Sequence, residues 1–268
     1  MTLSVISEKI VKNSKMGHPF RVIARLDVKG QNVVKGIHLE GLRIVGTPGK
    51  MSRGYYNDGA DEIIFIDIVA SLYGRNNLLD VVKNAAREVF IPMTVGGGIR
   101  TIDDINGVLR AGADKVAINT AAVSRPEFLR EAAEVYGRQC IVLMVEAKKR
   151  EGGWWEALTD NGREKTGRDV LEWVAEAEDL GAGEILITSV DQEGTRKGFD
   201  APLMKEVRQR VDVPIIASGG AGSASHVIEL TSSGEVDAVC CASLFHYDIS
   251  SLQKLKRTMA EAGIQVRL

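Results

Sequence analysis

The chain has 268 residues, 44% hydrophobic and 26% charged, with a formal net charge of −2. That length suits one barrel or two small domains, and the composition is that of an ordinary globular enzyme. With no basic excess and no block of like charge, neither a nucleic-acid-binding surface nor a charged tail is expected.

In chain order, residues 1–19 read as a short N-terminal extension. Lys9, Lys12 and Lys15 fall there without a long apolar core, so a secretory leader is not expected. Eight strands are expected next, over Phe20–Val28, Glu62–Ile68, Pro92–Val95, Lys115–Ile118, Cys140–Val145, Glu184–Thr188, Val213–Ala217 and Asp237–Cys241. Most are near-continuous apolar runs, the pattern of parallel strands covered on both faces. Amphipathic segments lie between them, among them Leu78–Val89, Ile102–Ala111, Pro126–Tyr136, Gly167–Leu180 and Leu203–Val211. This alternation implies βαβ units, and eight of them favour closure into an α/β fold, the (β/α)8 TIM barrel, over residues 20–268 as one domain. No apolar run approaches the roughly 20 residues of a membrane span.

The sequence also repeats itself. Gly59-Ala60 with Glu62 recurs as Gly181-Ala182 with Glu184, 122 positions later. Pro92 ahead of Val95-Gly96-Gly97-Gly98 recurs at the same offset as Pro214 ahead of Ala217-Ser218-Gly219-Gly220. Two half-barrels of four βα units each give this pattern. Each glycine cluster follows a strand and precedes a helix, where consecutive N–H groups form an anion cradle at the face that carries barrel active sites. The plain alternative is a tight turn. Two symmetric cradles, backed by Asn119-Thr120 and Ala242-Ser243, imply a substrate with a phosphate at each end.

Asp27 and Glu146 end the first and fifth strands, 119 residues apart, on opposite sides of the mouth. Such a pair suits general acid–base catalysis, and the structural alternative is ion pairing with Lys29 or Lys148. Asp67, Asp191 and Glu193 also sit at strand ends. Cys140, Cys240 and Cys241 are odd in number, lack C-x-x-C spacing and fall in apolar strand-like runs, as small buried hydrophobes do. His18, His38, His226 and His246 show no ligand spacing, so no metal is expected. Trp154-Trp155 either covers the site or packs on a hairpin, and Trp173 reads as core.

From Pro19 onward the sequence resembles the HisF family, cyclase subunits of imidazole glycerol phosphate synthase. The resemblance rests on Leu26-Asp27-Val28-Lys29, Val33-Val34-Lys35-Gly36, Gly59-Ala60-Asp61-Glu62, Thr94-Val95-Gly96-Gly97-Gly98-Ile99, Gly112 through Val123, Gly181 through Leu186, Ala217-Ser218-Gly219-Gly220-Ala221-Gly222 and Ser243-Leu244-Phe245-His246. It implies a lyase of histidine biosynthesis that takes ammonia from a glutaminase partner, a HisH-like subunit in a heterodimer. Its substrate is a bisphosphorylated aminoimidazole carboxamide nucleotide, and no cofactor, metal, nucleic acid or membrane is involved. By position the resemblance makes Asp27 and Glu146 the catalytic carboxylates and Lys35 a lysine of the mobile first loop. Gly98, Asn119 and Thr120 match one phosphate site; Gly194, Gly220, Ala242 and Ser243 match the other. Arg21, Glu62, Lys115 and Glu184 match a charged ring where ammonia enters. The protein is expected in the cytoplasm.

Several positions depart from the family pattern. Glu146 and Glu193 stand for aspartate, Gly30-Gln31-Asn32 replaces Asp-Gly-Arg, and Arg25 takes a place usually small and uncharged. Strand alternation points Arg25 the same way as Asp27, so a buried partner, Asp27 or Glu146, is required. Such changes near the chemistry fit a HisF-like paralogue delivering ammonia for amidino-sugar formation in surface-glycan synthesis. A non-catalytic subunit that docks a glutaminase and conducts ammonia, and a half-barrel sugar isomerase, are the remaining alternatives.

Overall fold

The computed structural model describes residues 18–70 and 78–268. Of the expected extension over 1–19, all but His18 and Pro19 therefore lies outside the described residues. The strands are β1 (Arg21–Lys29), β2 (Asn32–Ile37), β3 (Glu40–Gly46), β4 (Glu62–Asp67), β5 (Met93–Gly96), β6 (Lys115–Ile118), β7 (Ile141–Lys149), β8 (Trp155–Thr159), β9 (Glu164–Asp169), β10 (Glu184–Ser189), β11 (Ile215–Ser218) and β12 (Ala238–Cys241). The helices are α1 (Pro48–Asn57), α2 (Leu79–Ala85), α3 (Ile102–Arg110), α4 (Thr120–Ser124), α5 (Glu127–Tyr136), α6 (Val170–Asp179), α7 (Ala201–Arg208), α8 (Ala224–Ser232), α9 (Ser243–His246) and α10 (Leu252–Glu261).

Strands β1, β4, β5, β6, β7, β10, β11 and β12 pair in parallel in that order, and β12 returns to β1. These are the eight expected strands closed into a barrel, with bounds moved by a residue or more. Pro92 and Pro214 stay just outside their strands, because proline offers no N–H to a ladder. Their carbonyls still accept from Ile63 and Ile185, at 3.0 Å each. Cys140 leaves its expected strand for a short 3-10 turn, Arg138–Cys140, and is half-buried.

Two antiparallel hairpins extend the barrel: β2–β3 continues from β1, and β8–β9 continues from β7. They occupy matching places in the two halves. Period-two alternation then sorts every barrel strand. Val22, Ala24, Leu26 and Val28 face the helices with Ile141, Leu143, Val145 and Ala147. A separate cluster, including Ile23, Ile64, Val142, Leu186, Ile216 and Cys240, fills the lumen. Five of the helices on the outer face are capped by their own side chains. Thr101 and Asp104 form a reciprocal capping box on α3, and Asp169, Asp200, Ser223 and Ser251 cap α6, α7, α8 and α10. Trp173 is buried on α6, as its pattern implies, and Trp155 packs into the β8 hairpin with Nε1 donating to Asp200 at 3.1 Å.

Candidate active site

Alternation along β1 turns Arg21, Ile23, Arg25 and Asp27 into the lumen as successive rungs, set against Val142, Met144 and Glu146 on β7. At the N-terminal end, the first residues of β1, β4, β6 and β10 close a ring. Arg21 pairs with Glu62 and Glu184, both at 2.6 Å, and Lys115 pairs with the same two glutamates at 3.1 and 2.8 Å. Above it lies the apolar layer, and above that the two carboxylates.

Asp27 and Glu146 are 5% and 1% exposed. Neither uses the lysine beside it in sequence: Lys148 pairs with Asp191 at 2.5 Å, and Lys29 is exposed. Burial alone would raise Asp27, but the Arg25 guanidinium at 2.8 Å, followed by Lys35, holds it below the usual carboxylate range. Burial pushes Glu146 up to about 7, against the pull of Arg25 and of the Gly162 N–H, with Asp27 and Asp160 adding to the rise. Glu146 Oε2 accepts from Gly162 N at 2.8 Å and Asn119 Nδ2 at 3.1 Å; its Oε1 is buried without a hydrogen-bond partner among the described residues. Two carboxyls driven apart in this way form an acid and a base at the same pH.

The glycine clusters open on either side of this pair. Gly97 has φ 95°, and a Cβ there would lie 2.2 Å from the Asp67 carbonyl oxygen. Gly220 has φ 102°, and a Cβ would lie 1.9 Å from that of Gly198. Only glycine fits such backbone approach. Gly98, Asn119 and Thr120 come together with Arg100, Arg125 and Glu146 around a cavity of about 310 Å³. Gly194, Gly220, Ala242 and Ser243 come together with Lys35 and Glu193 around one of about 10 Å³. Asn119 and Ala242 stand at matching starts of the short helices α4 and α9, with φ −123° in both.

The second cavity is small because the β2–β3 hairpin lies over it. Lys35 is buried and its ammonium contacts the Glu193 carboxylate. Burial draws Lys35 down to about 8, with Asp27 opposing and Arg25 and Arg196 adding. His38 N donates to the Glu193 carbonyl at 2.9 Å, and Leu39 packs with Leu158 and Val190. Of the other strand-end acids, Asp67 accepts from Val69 N at 3.0 Å.

The sequence reading does not include the contribution of the β8–β9 turn, which brings Asp160, Asn161 and Gly162 to Glu146. Its signal was present, since Asp-Asn-Gly suits consecutive positive φ, observed at 51°, 58° and 77°. Asn119 lines the first cavity, yet its amide turns toward Glu146 and the Leu158 carbonyl. Thr188 and Ser218, which hold Arg25, carry no sequence signal of that role. Among the described residues no cluster of His, Cys, Asp or Glu is arranged to hold a metal, and no helix is long and apolar enough to cross a membrane.

Paired buried carboxyls between two glycine clusters, at the C-terminal face of a two-fold repeated barrel, mark a (β/α)8 protein whose mouth has the layout of a barrel-enzyme site. The family described as histidine biosynthesis protein matches residues 21–251. Imidazole glycerol phosphate synthase subunit HisF of Legionella pneumophila is 60% identical over 202 residues, 75% of this chain and 95% of the relative. The proteins of that name in Streptococcus sanguinis strain SK36 and Streptococcus gordonii strain Challis are each 48% identical over 248 residues, 92% of this chain and 98% of theirs. The chain belongs to the HisF family of histidine biosynthesis proteins.

Proposed function

We propose that the protein is the cyclase subunit of imidazole glycerol phosphate synthase, a lyase that uses ammonia to convert a bisphosphorylated aminoimidazole carboxamide nucleotide to imidazole glycerol phosphate. The observation that carries this reading is the mouth itself: two anion cradles flank two carboxyls of opposite proton affinity, in a chain aligned with HisF over nearly its whole length. In this reading Gly98, Asn119 and Thr120 hold one phosphate and Gly194, Gly220, Ala242 and Ser243 the other. Asp27 accepts a proton and Glu146 gives one. Lys35 leaves Glu193 as the β2–β3 hairpin opens for the substrate's phosphate end. The charged ring admits ammonia from a HisH-like glutaminase docked on the N-terminal face, and residues 20–268 act as one domain behind a short extension over 1–19. On this reading the protein works in the cytoplasm.

The test is turnover of the bisphosphorylated histidine-pathway intermediate with excess ammonium salt and no partner. Free ammonia replaces the glutaminase, so the barrel is assayed alone. Turnover that Asp27→Asn abolishes supports the reading. Tight binding of the intermediate without turnover would overturn it in favour of a paralogue with another acceptor.

A further inference from the structure

Arg25 is 2% exposed, inside the barrel, between the apolar layer and the carboxylates. Its Nε donates to Asp27 Oδ1 at 2.8 Å, two residues along the same strand. Its Nη1 donates to Thr188 Oγ1 on β10 at 2.9 Å and to Ser218 Oγ on β11 at 3.4 Å. Nη2 is buried and finds no acceptor among the described residues. Thr188 is in register with Glu146 on one side and with Ser218 on the other. The guanidinium therefore runs from the Asp27 side of the lumen to the row of residues that includes Glu146.

We propose that Arg25 is a positioning residue for the acid–base pair. Strung across the lumen by Thr188 and Ser218, it fixes the Asp27 carboxylate in one orientation and keeps it the proton acceptor, leaving Glu146 the proton donor. The inference rests on the cyclase reading for what the pair does, but the arrangement of Arg25 stands without it. A planar guanidinium with several donors is suited to this, because one arm can grip a carboxylate while another takes neutral acceptors on different strands. A lone buried carboxylate at Asp27 would take up a proton; a charged, hydrogen-bonded neighbour prevents that.

Titratable groups face Asp27 from several of the elements packed around it. Arg25 lies on its own strand, Lys35 on β2, Glu146 on β7, Cys240 on β12 and His246 after β12. On β4 the residue in register is Ile66, with Asp67 one step further along. Burial lowers His246 to about 4, so it is neutral at the working pH, and burial raises the Cys240 thiol. Lys35 is already engaged by Glu193. Arg25 is thus the buried cation hydrogen-bonded to Asp27, and it is the group whose removal should be felt there first.

The test is a carbon-NMR titration of the side-chain carboxyls, with the Asp27 signal assigned from Asp27→Asn, in the full chain and in three variants. Arg25→Met is expected to raise the Asp27 midpoint by about one unit or more, since burial is then unopposed by its nearest charge. Arg25→Lys should recover part of that shift. The double variant Thr188→Val with Ser218→Ala keeps the charge but frees it, and should give a smaller shift in the same direction. In the ammonium-dependent assay the acid limb of kcat should move with the Asp27 midpoint while KM for the bisphosphorylated substrate holds. An unchanged midpoint in Arg25→Met overturns the proposal. Should that variant not fold, an unchanged midpoint in both Arg25→Lys and the double variant overturns it equally. Absence of turnover in the unmodified protein would sink the cyclase reading and leave the NMR result to decide on Arg25.

Discussion

Asp27 in the first half of the barrel and Glu146 in the second stand at equivalent strand ends, yet their carboxyls are driven in opposite directions. One rung below each, the two halves differ. Arg25 lies under Asp27, and at the same spacing of 119 residues Met144 lies under Glu146. The scaffold supplies two buried carboxyls, and burial alone raises both. Arg25, with Lys35 behind it, lowers Asp27, whereas at Glu146 the pull of Arg25 does not overcome burial and the carboxyl stays near neutrality. Symmetry of the fold thus provides the pair, and asymmetry one rung down separates their proton affinities.

The largest expected effects come from neutralising either member. Asp27→Asn and Glu146→Gln should each lower kcat by about 10²- to 10⁴-fold in the ammonium-dependent assay, the usual contribution of a positioned acid or base. Retention of turnover in Glu146→Gln would break the comparison, since only one carboxyl would then act. The cradles come next. Gly97→Ala and Gly220→Ala each force a Cβ into a backbone carbonyl at positive φ. Each should destabilise the fold by more than about 1 kcal/mol in urea unfolding, and raise KM. Equal losses would show that both halves hold their glycine loops by the same backbone geometry.

A smaller effect sharpens the contrast without any substrate. Glu146 titrates near 7 in the folded chain and near 4.5 when free, so the folded state keeps a proton the unfolded state loses. Its stabilising share is complete below about 4.5 and is lost as pH rises through about 7, by up to about 3 kcal/mol. Glu146→Gln should flatten that part of the stability curve, measured as the urea midpoint between pH 5 and 8. Asp27 has the opposite sign. Its depressed value makes its ionised form stabilising above the ordinary carboxylate range, with loss only as pH falls through the lowered value.

Much of this was legible in the sequence because parallel barrel strands are apolar on both faces. Ile63 through Ile66 or Glu184 through Thr188 can hardly be anything else. The 122-residue offset disclosed the half-barrels and paired the cradles. The hairpins were not legible for the converse reason. β3 and β9 are exposed, and Glu164–Asp169 offers no alternating apolar face, so only turn residues such as Asp160-Asn161-Gly162 betray it. Side-chain alternation required a buried carboxylate for Arg25 but left Asp27 and Glu146 as equal candidates. In the closed barrel Arg25 bonds Asp27, and its other arm bonds Thr188 and Ser218, which it meets only once the barrel closes. The closed second cradle likewise depends on where a polar hairpin comes to rest, a matter of the Lys35–Glu193 contact and the Leu39 packing rather than of local pattern.

The division of labour is tested most directly by the pH dependence of kcat/KM for the bisphosphorylated intermediate, with free ammonia held constant at every pH. This quantity reports the free enzyme, whose mouth is the one described. The account predicts a plateau below neutrality and a decline above about 7 as Glu146 loses its proton, the decline vanishing in Glu146→Gln. Activity that climbs steadily from pH 6 to 9 would contradict it, and would mean that both carboxyls work ionised.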